Sequence, residues 1–181
     1  MKLADLARGV PGAKLEGNGD VDVTGIAYDS RRVKAGDLFI AVTGLHEDGH
    51  AFAADAVVKG AVAVALERPG PMPQGTPVLL LPSTRTGLAE VAAEFYGRPS
   101  RKLKVAGITG TDGKTTTTHM AEHVLQASGI AAGAMSTVAF TVGGTETDNT
   151  SGQTTTEAPQ VQAWLMRMVE AGVQCAVIET T

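Results

Sequence analysis

Apolar and polar positions along the chain fall into two rhythms, short continuous runs and longer stretches with helical spacing. The runs 38–42, 61–66, 78–81 and 173–178 predict buried strands, and Val21, Val23 and Ile26 predict an earlier one. Leu3, Leu6 and Ala7 predict a short helix closed by Gly9 and Pro11, and Phe52, Ala56 and Val57 a second, stopped by Gly60. Leu88, Val91, Ala92 and Phe95 predict a third, capped by Ser83 and ended by Gly97 and Pro99. Val161, Trp164, Leu165, Met168 and Val169 mark one face of a last helix, with Trp164 at core spacing and Gly172 as the stop. Residues 131–142 read as a strand running to a Gly143-Gly144 turn, and the nearly all-polar 145–156 as a surface loop. Strands alternating with helices imply an α/β fold. The polar stretch 97–102 is the expected linker between a small amino-terminal α/β domain, residues 1–100, and a second domain that residues 101–181 begin.

The second domain is organised around residues 105–128, VAGITGTDGKTTTTHMAEHVLQAS. Leu103, Val105, Ala106 and Ile108 have the apolar content of a central parallel strand, which Gly107, Gly110 and Gly113 then break. Met120, Ala121, Val124 and Leu125 recur at helical spacing, the expected inward face of a helix that Gly129 ends. Strand, glycine loop and helix in that order make a phosphate loop. The helix start offers unpaired N–H groups and about half a positive charge to an anion. Gly110, Thr111, Asp112, Gly113, Lys114, Thr115 and Thr116 are the candidate ATP-binding residues. Lys114 is the mobile cation and candidate catalytic residue, and the Thr115 hydroxyl a candidate ligand for the Mg2+ that accompanies ATP. The generic pattern G-x-x-x-x-G-K-[ST] fails by one position, because its first glycine falls on Ile108. The expected class is therefore α/β, a small amino-terminal α/β domain followed by the first part of a P-loop parallel-sheet domain. Glu179, at the carboxyl end of the last predicted strand, lies beside the crevice where open α/β sheets bind ligands, and can meet a metal held by Thr115. A frayed terminal carboxylate is the alternative.

Composition removes other classes. With 43% hydrophobic residues in 181, the chain can bury a real core. A net charge of −4 and the lack of a basic stripe argue against nucleic acid and anionic membranes as partners. The lone Cys175, within an apolar run, excludes a disulfide framework, fits a reducing compartment and reads as a small buried hydrophobe. The start MKLADLARGV lacks the apolar core of a secretion signal, and no run reaches membrane-spanning length. A cytoplasmic protein without membrane insertion is expected.

The string TGTDGKTTT, residues 109–117, resembles the ATP-binding loop of the Mur ligases, ATP-dependent amide-forming enzymes of bacterial peptidoglycan synthesis. Asp112 stands where that family usually carries Asn, adding a negative charge near the expected phosphates. The stretch YDSRRVKAGDLFIAVTGLHEDGHAFAADAVVKGAVAVALE, residues 28–67, is similar to the amino-terminal domain of the family's MurE branch, which holds the uridine diphosphate end of the substrate. The resemblance implies that Ser30 contacts the diphosphate, that Tyr28 lies near the uridine, and that Leu45, His46 and Glu47 lie on the uracil side. It also implies that Thr154 and Thr155 contact the muramoyl substrate, with Thr156 in place of a frequent proline. Glu179 falls on a metal-binding glutamate followed by hydroxyl residues, here Thr180 and the substrate-side Thr181.

What the resemblance implies for function is addition of the third amino acid, diaminopimelate or lysine, to UDP-N-acetylmuramoyl-L-alanyl-D-glutamate through an acyl phosphate. A monomer using ATP and Mg2+ is expected. The family's carbamylated lysine, metal-binding histidine and carboxyl-terminal domain match nothing in this chain, so the 181 residues alone are expected to be inactive. Local readings stay open beside it. Asp29 and Ser30 can form an Asx turn, residues 46–50 a solvated loop, and residues 145–156 a plain connection. A MurF-type ligase and a silent module that binds a UDP-sugar or ATP without turnover are the rival functions.

Overall fold

Parallel strands carry the first half of the chain in the computed structural model, which describes residues 1–44, 47–150 and 156–181. Two units divide there, Met1–Phe95 and Tyr96–Thr181. The first runs α1 (Leu3–Gly9), β1 (Lys14–Glu16), β2 (Gly25–Ala27), β3 (Asp37–Ile40), α2 (Ala53–Val58), β4 (Ala63–Leu66), β5 (Val78–Leu80) and α3 (Thr84–Phe95). Its sheet has the order β1-β5-β4-β3-β2, with β2 to β5 mutually parallel and β1 antiparallel at one edge. Alternation along β3 supplies both faces of this sheet. Leu38 and Ile40 pack with Leu3, Leu6, Leu79, Leu88 and Val91, under α1 and α3. Phe39 and Ala41 pack with Ala53, Ala56, Val64 and Leu66, under α2. Each large side chain sealed this way contributes about 1.5–3 kcal/mol of transfer free energy. The strand β1 was not expected, since Leu15 alone is apolar there. Phe52 lies just ahead of α2 and stays 37% exposed, so it is not the buried helix residue its spacing suggested.

The second unit runs β6 (Lys104–Ile108), α4 (Lys114–Ala127), β7 (Ala132–Met135), β8 (Ala139–Val142), β9 (Thr145–Asp148), α5 (Ala158–Glu170) and β10 (Cys175–Glu179), with sheet order β6-β10-β7-β8-β9. Leu165 and Met168 of α5 pack with Met135, Phe140, Val173 and Ala176. Trp164 packs as its spacing predicts, its ring 4.9 Å from that of Phe140 and under the Arg167 guanidinium. Residues 97–102, the expected linker, contain a 3-10 turn, Pro99–Arg101, that packs on α5.

Four expectations for this unit need correction. Far from being central, β6 pairs with β10 alone among the described residues, and Val105, Ala106 and Gly107 are exposed. An apolar run marks a strand that can be covered on both faces and both edges, and within the described residues β10 covers one edge of β6. In α4 the expected inward residues Met120 and Val124 are 63% and 61% exposed, while Thr118 and Glu122 are buried. The expected strand at 131–142 is interrupted at 136–138, where the chain reverses between the antiparallel β7 and β8. Lastly, 145–148 is not loop but β9, paired to β8 with all four residues exposed. A strand wet on both faces has no apolar alternation to announce it. What does announce it is the Gly143-Gly144 pair, with φ of 57° and 81°, the two positive values a type I′ hairpin turn demands.

Candidate functional site

In the second unit the carboxyl ends of three parallel strands, β6, β10 and β7, lie side by side. The chain leaves β6 at Ile108 and enters α4 through Gly113, whose φ of 75° requires a residue without a Cβ. Gly113 is also the helix cap and has no side chain to occupy the N–H groups of the first turn. Gly110, Thr111, Asp112 and Thr116 are exposed around this start, and no acidic residue sits in the first turn. Lys114 curls back over the loop, its Nζ donating to the carbonyl oxygens of Gly110 at 2.9 Å and Thr111 at 3.1 Å. An ammonium has three donors, so one remains for an anion above the loop.

Glu179 ends β10 opposite Ile108, and the Thr180 N–H donates to the Ile108 carbonyl at 2.8 Å, tying the two strand ends together. Its side chain is 3% exposed rather than frayed. Glu179 Oε2 accepts from the Thr115 hydroxyl at 3.0 Å and from the Thr137 N–H at 2.9 Å. Burial pushes this carboxyl up, but the Thr137 N–H, the Thr115 hydroxyl and the charge of Lys114 together hold it below its ordinary 4.5. Lys114, Thr115 and Glu179 are thus brought together. Thr115 Oγ and Glu179 Oε2 are hard oxygen donors of the kind Mg2+ takes, and the depressed carboxyl is charged and ready to ligate. Among the described residues no group of three His, Cys, Asp or Glu side chains forms a metal cluster, at this site or elsewhere.

In the first unit, Tyr28, Asp29 and Ser30 follow β2 and Glu47 lies after β3, so both segments stand at the carboxyl end of the parallel sheet. The Asx turn is present: Asp29 Oδ1 accepts from the Arg31 N–H at 2.9 Å, and the Arg31 guanidinium holds the Asp29 carboxyl down at about 2. The Ser30 carbonyl is anchored by Lys59 Nζ at 2.9 Å, and Glu47 is close enough to stabilise the charge on Arg31. Leu45, His46, Thr154 and Thr155 lie outside the described residues. Thr181 is exposed at the last position.

Sequence reasoning missed how residues 48–50 are engaged. His50 Nε2 accepts the Glu67 N–H at 3.0 Å, which leaves the ring proton on Nδ1 to donate to Asp48 Oδ1 at 2.6 Å. Glu67 in turn accepts from the N–H and hydroxyl of Thr84 at the start of α3, where the Ser83 carbonyl accepts the Gly87 N–H at 2.9 Å. These residues tie the ends of β3, β4 and β5 together. The spacing Asp-Gly-His was the available signal, since Asp48 also accepts the His50 N–H two residues on.

Family models match both units, the Mur ligase family catalytic domain at residues 22–96 and the Mur ligase middle domain at residues 108–181. The chain belongs to the Mur ligase family. Among its relatives, the UDP-N-acetylmuramyl-tripeptide synthetase of Roseiflexus sp. (strain RS-1) is 48% identical over 163 residues, which cover 88% of this chain and 32% of that protein. The UDP-N-acetylmuramoyl-L-alanyl-D-glutamate--2,6-diaminopimelate ligase of Syntrophomonas wolfei is 40% identical over 181 residues, covering 100% of this chain and 37% of that one. A solved UDP-N-acetylmuramoyl-L-alanyl-D-glutamate--2,6-diaminopimelate ligase shares the fold, with a TM-score of 0.74 at 22% identity, across 100% of this chain and 36% of that one. The chain thus spans about a third of the length of the Mur ligases it matches. The glycine loop, Lys114, Thr115 and Glu179 all fall within the match to the middle domain, and Tyr28, Ser30 and Glu47 within the match to the catalytic domain.

Proposed function

We propose that these residues are the substrate-binding and nucleotide-binding part of an ATP-dependent ligase that adds the third amino acid to UDP-N-acetylmuramoyl-L-alanyl-D-glutamate. The observation that carries it is the meeting of Lys114, Thr115 and Glu179 at the ends of β6 and β10, which supports a magnesium-bound polyphosphate as the ligand. The names of the relatives, a tripeptide synthetase and a diaminopimelate ligase, supply the reaction. Tyr28, Ser30, Leu45, His46 and Glu47 are proposed for the uridine diphosphate end, and Thr154, Thr155 and Thr181 for the muramoyl peptide. A cytoplasmic monomer fits the use of ATP and the single buried thiol.

The chemistry is phosphoryl transfer from ATP to the terminal carboxylate, releasing ADP, followed by attack of an amine on the acyl carbon and loss of phosphate. Mg2+, held through Thr115 and Glu179, would neutralise charge on the β- and γ-phosphate oxygens. The free N–H groups at the start of α4 cradle the phosphates, and the spare donor of Lys114 follows the charge as it develops. Asp112 opposes both by a like charge at the loop.

Calorimetric titration of the chain with Mg-ATP tests the nucleotide half. Lys114→Ala is expected to abolish binding without unfolding the chain, and equal affinities for variant and parent would defeat the assignment. For the other half, UDP-muramoyl dipeptide is expected to raise the melting temperature, and Ser30→Ala to reduce that rise. No shift in the parent would remove the substrate.

A further inference from the structure

His119 lies one turn beyond Thr115 on α4, outside the phosphate loop, and nothing in the proposed chemistry uses it. Its Nε2 is 3.1 Å from the hydroxyl of Ser136, a side chain only 1% exposed at the exit of β7. That hydroxyl accepts from the N–H groups of Val138 at 3.2 Å and Ala139 at 3.1 Å, which takes both of its lone pairs. The proton of the hydroxyl faces the Ala139 carbonyl at 3.0 Å, and His119 Nε2 is its remaining partner. The Ala139 carbonyl, with two lone pairs, also receives the Ser136 N–H at 2.9 Å, and Nε2 has no other partner among the described residues. The other ring nitrogen, Nδ1, faces Glu122 Oε2 at 3.7 Å.

The turn that Ser136 closes contains Thr137, whose N–H donates to Glu179 Oε2, and the same oxygen accepts from Thr115. The hydrogen bonds thus form a ring that leaves α4 at His119, passes through Ser136, the turn and Glu179, and returns to α4 at Thr115. Asn149 grips the turn from the far side, donating to the Ser136 carbonyl at 3.0 Å. Glu122, His119 and Ser136 are ordered as carboxylate, imidazole and hydroxyl, but the sealed hydroxyl excludes a nucleophilic role.

We propose that His119 is a positioning residue: by holding the Ser136 turn, it sets the Thr137 N–H that aims the Glu179 carboxylate at a magnesium ion shared with Thr115. This rests on the proposed nucleotide site and adds to it a residue through which α4 controls the geometry of the metal. Removing the direct hydrogen-bond partner of a metal ligand costs about 10- to 100-fold in metal affinity, and His119 acts on such a partner, the Thr137 N–H, through Ser136.

The test is calorimetric titration of the chain with ATP, with and without Mg2+, in the parent, His119→Leu and His119→Gln. His119→Leu is expected to lose about tenfold in Mg-ATP affinity while binding metal-free ATP as the parent does. His119→Gln, whose amide can donate to or accept from the Ser136 hydroxyl, is expected to recover most of that loss. Unchanged Mg-ATP affinity in His119→Leu, equal losses with and without metal, or no recovery in His119→Gln would each overturn the proposal. A parent whose ATP binding gains nothing from Mg2+ overturns the proposed metal site and this inference together. Nitrogen NMR of the unliganded chain reads the same contact without any ligand: Ser136→Ala is expected to shift the His119 Nε2 resonance, and an unchanged resonance overturns the assignment.

Discussion

Replacing Glu179 by Gln tests how much the buried carboxylate contributes before any ligand is present. The substitution preserves shape and leaves one amide oxygen where Oε2 receives the Thr137 N–H and the Thr115 hydroxyl. Hydrogen bonds to a charged acceptor contribute about 1.5–3 kcal/mol and those to a neutral one about 0.5–1.5, so each bond weakens by about 1 kcal/mol. Gln also sheds the cost of burying charge, which is why the net loss is expected to be about 1–2 kcal/mol rather than the full sum. For a unit of this size that lowers the melting temperature by about 4–16 °C. The chain's single tryptophan, Trp164, packs half-buried against the core of the second unit, so its fluorescence follows that unit's unfolding.

The pH dependence of the same variant carries the sign. Because the folded carboxyl is held below its ordinary 4.5, its stabilisation is complete above that value and is lost as pH falls through the lowered folded value. Parent and Glu179→Gln should therefore differ fully at every pH well above 4.5 and converge under acid conditions. Equal melting temperatures at neutral pH, or a gap that persists in acid, would refute the account of what holds Glu179.

Three other substitutions probe separate features. Asp112→Asn removes an exposed like charge beside the expected phosphates and should tighten Mg-ATP binding roughly threefold at low ionic strength, a gain that salt shrinks; an unchanged dissociation constant at low salt would refute it. Glu122→Gln should raise the urea midpoint at neutral pH, because burial lifts the Glu122 carboxyl above its ordinary 4.5 and its charged form therefore costs stability above that range. That gain should vanish in acid, and a loss of stability at neutral pH would contradict it. Val105→Lys places a charge on the open edge of β6, where Val105 is 45% exposed, and should reduce self-association measured by light scattering; identical scattering from parent and variant would argue that the edge is not sticky.

The first unit was largely legible in the sequence because its physics is alternation. Leu38 and Ile40 go to one face and Phe39 and Ala41 to the other, and a run apolar at every position leaves a strand buried on both sides as the natural reading. The loop after β6 was legible for a different reason, since a glycine at φ of 75° followed by Lys and Thr is readable from chemistry alone. The strands β1 and β9 were not, because their pairing is held by backbone bonds and they bury little apolar surface. Nor was the ring through Ser136 and His119 legible, as it joins residues that are 17 apart in the chain and carry no motif.

The rotation of α4 and the site at its start share a cause. By hydrophobic phase alone the helix would bury Met120 and Val124, yet it buries Thr118 and Glu122. Thr115 decides this, because its bond to Glu179 points that side of the first turn at the end of β10, and residues three and seven positions on must then face the sheet too. The polar residues on that face are largely accommodated: Gln126 donates to both Glu122 and the Ala132 carbonyl at 3.2 Å, and His119 meets Ser136. Thr118 Oγ is buried with no partner, a cost accepted on the same face. In α4 the hydrophobic pattern and the observed burial disagree at Met120 and Val124, and such disagreements are expected at working sites. The polar residues that α4 buries thus lie on the face that carries Thr115 to Glu179, while Ala121 and Leu125 keep half of the expected apolar face partly covered.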